Sequence, residues 1–234
     1  FCFLIYHTVG FFIITITANF NDVLWNGDYE FIDLTYPFDN IYCTNLIYHG
    51  GTHMDAPYHF KADGKHIGDI PLEKLIVPLI IVDVSSKVNE DPNFELNMHD
   101  LDYRLNDNMG KPCLIVFKYG WSKFINDKTK YLGMTKNNTF NFPGMSEEVA
   151  EWITSSHKNV VGIGVDTASV DKGSATDFPV HKIFANAGLF NVENVKLDLP
   201  VPEYGCTALI LPMKIAMGTG APLRLVAICP KRTS

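Results

Sequence analysis

The apolar positions of the chain fall into short runs instead of long amphipathic stretches. Leu75–Val84, Leu114–Phe117, Val160–Val165, Ala208–Leu211 and Leu223–Ile228 are rich in aliphatic and β-branched residues. Runs of this length and type predict strands. None alternates cleanly between apolar and polar residues, so the expectation is a sheet covered on both faces. One segment has a helical signature. Ser146 can act as N-cap, and Glu147 and Glu148 suit the positive end of a helix dipole. Val149, Trp152 and Ile153 then share one face at i, i+3, i+4, which predicts a helix to about His157 with a strand at once from Val160. Asn93–Asn108, with Met98, Leu101 and Leu105, is a second candidate helix. Strands interleaved with few helices predict a single mixed α/β domain.

Phe1–Ala18 breaks this pattern, being almost wholly apolar without Asp, Glu, Lys or Arg. Three readings stand. A membrane-spanning helix needs about 20 such residues. A secretory leader has a shorter apolar stretch followed by small residues, and Thr-Ile-Thr-Ala before Asn19 suits one. A buried strand or helix is the third. The leader is favoured, and a sequon at Asn137-Asn138-Thr139 agrees with it. The expectation is a leader over residues 1–28 and one domain over 29–234, secreted or in the secretory lumen if that leader is real and otherwise cytoplasmic. The mature chain then has no stable membrane span.

Composition narrows the function. Of 234 residues, 47% are hydrophobic and 19% charged, which excludes a chain disordered throughout. A formal net charge of −7 repels phosphate backbones, and no Lys/Arg run offsets it, so no nucleic-acid partner is expected. The five cysteines, at positions 2, 43, 113, 206 and 229, are odd in number and contain no CxxC pair. That argues against a disulfide framework and a thiolate zinc site. Cys113, Cys206 and Cys229 lie in apolar runs and read as buried free thiols.

The chemistry concentrates in His49-Gly-Gly-Thr-His53-Met-Asp55-Ala-Pro-Tyr-His59-Phe60, where three imidazoles and a carboxylate lie within eleven residues. Imidazole and carboxylate oxygen are the donors of zinc and manganese sites. In an extended chain 49, 53, 55 and 59 point to one face. A straight strand would separate the His49 and His53 backbones by about 13 Å, so the chain must curve, and Gly50-Gly51 is where it can. No GxSxG elbow occurs, which removes the α/β-hydrolase route.

This segment resembles the signature HxGTHxDxPxHF of the metal-dependent cyclase family, which includes kynurenine formamidases of bacterial type and isatin hydrolases. Further blocks follow in the family's order: Phe31-Ile-Asp-Leu-Thr-Tyr-Pro, Lys118-Tyr-Gly-Trp-Ser, Gly164-Val-Asp-Thr-Ala-Ser-Val-Asp171, Pro179-Val-His181, Val192-Glu193-Asn194, Leu211-Pro-Met-Lys and Gly220-Ala-Pro-Leu-Arg224. The resemblance covers about Phe31 to Pro230. It implies a swivelling β/β/α domain assembled into dimers or higher oligomers such as tetramers, with one or two ions per chain, zinc or manganese. By position, His49, His53 and Asp55 match one metal's ligands, with Asp55 bridging; His181 and Glu193 match the second metal's; His59 matches the catalytic histidine. The implied activity is hydrolysis of an aryl formamide such as N-formylkynurenine, in tryptophan breakdown. An isatin-type cyclic amide hydrolase and a catalytically silent metal-binding interaction protein are the alternatives.

The resemblance also has departures. Only eleven residues separate Pro37 from His49, a stretch that is longer in the family, and Tyr119 stands where the family block has Thr. Other residues divide between roles. Asp166, Thr167, Ser169 and Asp171 suit either support of metal-binding imidazoles or turns at a strand end. Trp121, Tyr58 and Phe60 read as packing, and Thr52 as a hydrogen-bonding or plain strand residue. His7, His66, His99 and His157 have no motif around them. Arg224 suits an ion pair with a carboxylate.

Overall fold

The computed structural model describes residues 24–36, 49–101, 111–136 and 139–231. Phe1–Ala18, Cys43, the short segment after Pro37 and the asparagines of the sequon lie outside them. Among the described residues no helix is long and apolar enough to cross a membrane.

The predicted strands form, most of them longer than their apolar runs. In chain order the strands of the described residues are β1 (Tyr29–Asp33), β2 (His53–Asp55), β3 (Ile76–Asp83), β4 (Glu95–Leu96), β5 (Cys113–Lys118), β6 (Gly144–Met145), β7 (Val160–Val165), β8 (Phe190–Glu193), β9 (Cys206–Pro212) and β10 (Gly220–Pro230), and the five apolar runs correspond to β3, β5, β7, β9 and β10. Four α-helices lie wholly within the described residues: α1 (Ser85–Val88), α2 (Lys128–Leu132), α3 (Glu147–Ser156) and α4 (Pro179–Asn186). The large sheet runs β1-β10-β2-β8-β7-β5-β3-β9, and β9 also pairs with β10. That extra pairing closes seven strands into a barrel, with β1 attached along β10. Strands β3, β5, β7 and β8 run parallel. A closed barrel removes the exposed edges of an open sheet. This is the single mixed α/β domain that the pattern predicts.

Two cores share the sheet. Met54, Leu79, Leu114, Val116, Phe190, Val192, Ala208 and Leu225 fill the barrel interior. Ile80, Ile115, Phe117 and Val165 point the other way and pack under α3 and α4 through Val149, Ile153, Val180 and Phe184. Both faces of β5 and β7 are therefore covered. Strand β9 and the middle of β10 do alternate, with Thr207, Leu209, Leu211, Pro222, Arg224 and Val226 partly or fully open, so the expectation of two covered faces fails there. Among the described residues no helix is packed over that side of the barrel. Helix α3 matches its prediction: the Ser146 hydroxyl accepts from the Val149 amide, and the helix ends at His157.

Two expectations are corrected. Asn93–Leu101 is not a helix but strand β4 followed by a single 3₁₀ turn, Met98–Asp100. Asn97 and Asp100 cap that turn reciprocally, and short polar side chains bonding the local backbone compete with a longer helix. Residues 102–110 of that candidate lie outside the described residues. The second correction is that Cys206 and Cys229 are not free thiols: they form a disulfide. The register sets Thr207 opposite Ile228 and Ala208 opposite Ala227, so the next pair across β9 and β10 is Cys206 with Cys229, Cα atoms 4.2 Å apart. Cys113 is a buried cysteine outside any disulfide, as expected.

Candidate metal centre

Met54 fills the barrel interior, so its neighbours His53 and Asp55 face outward, toward α4. The same alternation on β8 buries Phe190 and Val192 inside and turns Asn191 and Glu193 outward. Antiparallel pairing of β2 with β8 sets His53 opposite Glu193 and Asp55 opposite Asn191. Helix α4 then brings His181 over this pair. Residues far apart in the chain thus meet through strand register and one helix.

The distances are short. Asp55 Oδ1 lies 2.6 Å from His49 Nδ1 and 3.3 Å from His53 Nε2, and Oδ2 lies 3.2 Å from His181 Nε2. Glu193 approaches His181 Nε2 at 3.0 Å and His53 Nε2 at 3.4 Å. His53, Asp55 and Glu193 have ligand atoms within 4.8 Å of one another, and so do His49, Asp55 and His59. Asp55 belongs to both groups. All six sequence-predicted residues therefore converge on one place.

The route is not the extended strand of the one-face expectation. Only His53–Asp55 is strand, and Pro57–His59 is a 3₁₀ turn. The glycine pair bends the chain as required, with Gly51 at φ +59°. Asn194 Nδ2 holds that bend by donating to the Gly51 carbonyl at 2.9 Å. Thr52 serves the same corner: its hydroxyl donates to the Asn194 carbonyl and accepts from the Tyr36 amide. His49 folds back onto Asp55 because Gly220 leaves room; a Cβ there would meet its ring at 2.6 Å. His49 Nε2 also lies 2.9 Å from the Thr219 hydroxyl.

Asp171 resolves the two roles open for its block. It accepts from the amides of Val180 and His181 at 2.9 and 3.2 Å and lies 2.6 Å from His181 Nδ1. One carboxylate both caps α4 and aims the outer nitrogen of His181 at the centre. Asp166 is different. It accepts from the amides of Tyr119, Trp121 and Ser122 and from the Ser122 hydroxyl, and so pins the turn after β5. Trp121 is core. Arg224 forms a bidentate, exposed pair with Asp33. Of the remaining histidines, His66 packs against Tyr58, His99 is exposed and His157 caps α3.

The electrostatics favour positive charge at the centre. Burial by itself would lower the His53 imidazole, but hydrogen bonds to Asp55 and Glu193 outweigh it and raise it to about 10. His181 is likewise raised by its three carboxylate partners against the opposing effect of burial. Burial would raise Asp55 and Glu193, yet the surrounding imidazoles hold both below their ordinary values. Two buried carboxylates and several imidazoles aimed inward form a donor set that fits a divalent cation. Asn191 adds to the fit: it is buried, shares the face of Glu193, and its Oδ1 has no partner. His59 sits at the mouth, exposed, its ring 4.2 Å from that of His49; burial of its inner side lowers its pKa.

Asn191 and Thr219 were not read from the sequence. Asn191 follows the period-2 rule from Glu193, a signal that the sequence does contain. Thr219 reaches His49 only through the pairing of β10 with β2.

Comparison with known proteins shows the family to which the chain belongs. Residues 32–172 match the model of the Cyclase family, described as "Putative cyclase". An isatin hydrolase of Roseibium aggregatum is 28% identical over 194 residues, 78% of this chain and 72% of that protein. A kynurenine formamidase of Bacillus cereus is 26% identical over 88% of this chain and 91% of its own length. Among solved structures, isatin hydrolase A from Ralstonia solanacearum superposes with a TM-score of 0.81 at 23% identity, covering 92% of this chain and 99% of that one, a likeness of fold. The chain belongs to the cyclase family and is one of its metal-dependent hydrolases.

Proposed function

We propose that the chain hydrolyses an aryl formamide such as N-formylkynurenine, with His49, His53, Asp55, His181 and Glu193 as the ligands of one or two zinc ions, manganese serving as the alternative ion, and with His59 as general base. The observation that carries this reading is the convergence of these six side chains around Asp55 on the helix-covered side of the barrel. A bound ion supplies a Lewis acid for the scissile carbonyl and lowers the pKa of water toward neutrality. The rest of the work falls to the protein. Asp171 holds the His181 tautomer, and Asn194 and Thr52 hold the bend that presents His49. An imidazole nitrogen of His59, neutral because its pKa is lowered, takes a proton from the attacking water and returns it to the leaving amine. The similarity to isatin hydrolase favours a cyclic aryl amide as the second substrate class.

The test is hydrolysis of N-formylkynurenine by the full chain, before and after chelation and after adding back zinc or manganese. Turnover that vanishes with chelator and returns with metal supports the reading. Bound metal without turnover moves the weight to isatin, and without turnover there either, to a silent member.

A further inference from the structure

The mouth of the centre carries an apolar feature that the chemistry above does not use. Phe178 immediately precedes α4 and leaves 42% of its surface exposed. Its backbone is left-handed, φ 52° and ψ 55°, a conformation that a β-carbon disfavours. It occupies the N-cap position, where its side chain caps nothing; Asp171 satisfies the first amides of α4 instead. Glycine or asparagine would relieve the backbone, and serine or aspartate would cap the helix. Local structure therefore gains nothing from phenylalanine here, and strain kept at a site mouth points toward function.

The ring has defined neighbours. Its centroid lies 5.6 Å from that of Phe60 and 5.9 Å from that of His181. Phe60 in turn lies 4.6 Å from both His181 and His59. Two phenyl rings thus line the mouth, and the polar centre lies behind them. That pairing of a flat apolar wall with buried charge suits a ligand with a planar ring on one side and a carbonyl on the other. We infer that Phe178 and Phe60 form the wall that receives the substrate's aromatic ring and set a preference for aryl over alkyl amides. This rests on the amide-hydrolase reading for the identity of the carbonyl group, but the wall is testable without turnover.

The probes are benzoate and cyclohexanecarboxylate, which carry the same charge and differ in the planarity of the ring. Calorimetry on the metal-loaded full chain compares wild type with Phe178→Ala and Phe178→Gly. Wild type binds benzoate more tightly than cyclohexanecarboxylate. Both variants lose roughly 2- to 10-fold of that preference, the range expected for one aromatic contact, with bound metal unchanged by elemental analysis. The glycine variant melts above the alanine variant, because glycine is at ease with a positive φ. A wild type with no preference, variants that weaken both probes equally, or a loss of metal in Phe178→Ala each overturns the wall. Kinetics on formanilide and N-cyclohexylformamide separate the two proposals. No turnover on either, with the binding preference still lost in the variants, overturns the hydrolase reading and leaves the wall standing.

Discussion

Two buried acidic sites lie within the same fold, and they are built on opposite plans. Asp166, at the end of β7, is wholly buried. It accepts four hydrogen bonds, all from neutral groups of one turn: three backbone amides and one hydroxyl, at 2.7–3.3 Å. Asp55 and Glu193 are also buried, and their side-chain partners are imidazoles, with the Val170 amide donating besides to Glu193 at 3.2 Å. An imidazole donates from both nitrogens only when charged. The first site finds all these donors within the protein and answers its carboxylate with fixed dipoles, which offset burial only in part. The second is complete only when positive charge is supplied, as protons or as an ion. Burial of an acid therefore does not mark function; the kind of donor around it does.

Removing the carboxylate that both candidate metal-binding groups share breaks the second plan most severely. Asp55→Ala is expected to lose bound metal and turnover together, more than the ~10- to 100-fold that loss of an outer partner costs. Elemental analysis of the purified variant checks this; normal metal content removes Asp55 from the ligand set. His59→Ala separates holding from reacting. Metal content should stay at the wild-type level while kcat falls about 10²- to 10⁴-fold. A matching fall in metal would make His59 a ligand, as its proximity to His49 and Asp55 permits.

The first plan breaks differently. Asp166→Asn turns one amide NH₂ toward backbone N–H groups that need an acceptor, and should cost about 2–3 kcal/mol of stability with the metal centre intact. Chemical denaturation measures it. The same residue gives a pH signature. Burial outweighs the downward pull of the four donors and raises its carboxyl from 3.8 to about 6. The folded state therefore binds more protons than the unfolded state between pH ~4 and ~6, so its contribution to stability falls as pH rises through that window and is flat above it. The stability difference between wild type and Asp166→Asn should shrink from pH 4 to pH 6. A difference that grows, or stays constant, would mean that the donors dominate burial.

The same comparison shows what the sequence made legible. Strands β3, β5, β7, β9 and β10 and helix α3 follow from local apolar runs and an N-cap, because each depends on neighbours in the chain. His53 and Asp55 were readable because period 2 puts them on one face. His181 and Glu193 were visible only through resemblance, since a strand register and a helix docking join them to β2. The Cys206–Cys229 bond escaped for the same reason: it needs the pairing of β9 with β10. Asp166 and Asp171 sit five apart in one block and looked alike. What separates them is which segment packs against each, the turn after β5 or the start of α4, and neither is a property of the block itself.

Asp171 tests whether the two plans can be joined. It has the donors of the first kind, two backbone amides, and a contact of the second, the Nδ1 of His181. Asp171→Asn keeps an oxygen for one of those partners and presents an NH₂ to the others. If that oxygen stays with the helix amides, His181 loses the acceptor that fixes its tautomer, and Nε2 no longer points a lone pair at the centre. Metal affinity should then fall about 10- to 100-fold with little change in melting temperature. If the oxygen stays with His181, the start of α4 loses its cap, and the melting temperature should fall while affinity holds. Titration of the apoprotein with zinc, read beside thermal unfolding of the same sample, distinguishes the two. The first outcome is expected, because the two amides are fixed by the helix and the imidazole can turn. Equal loss in both would mean that the helix end and the metal centre form one cooperative unit.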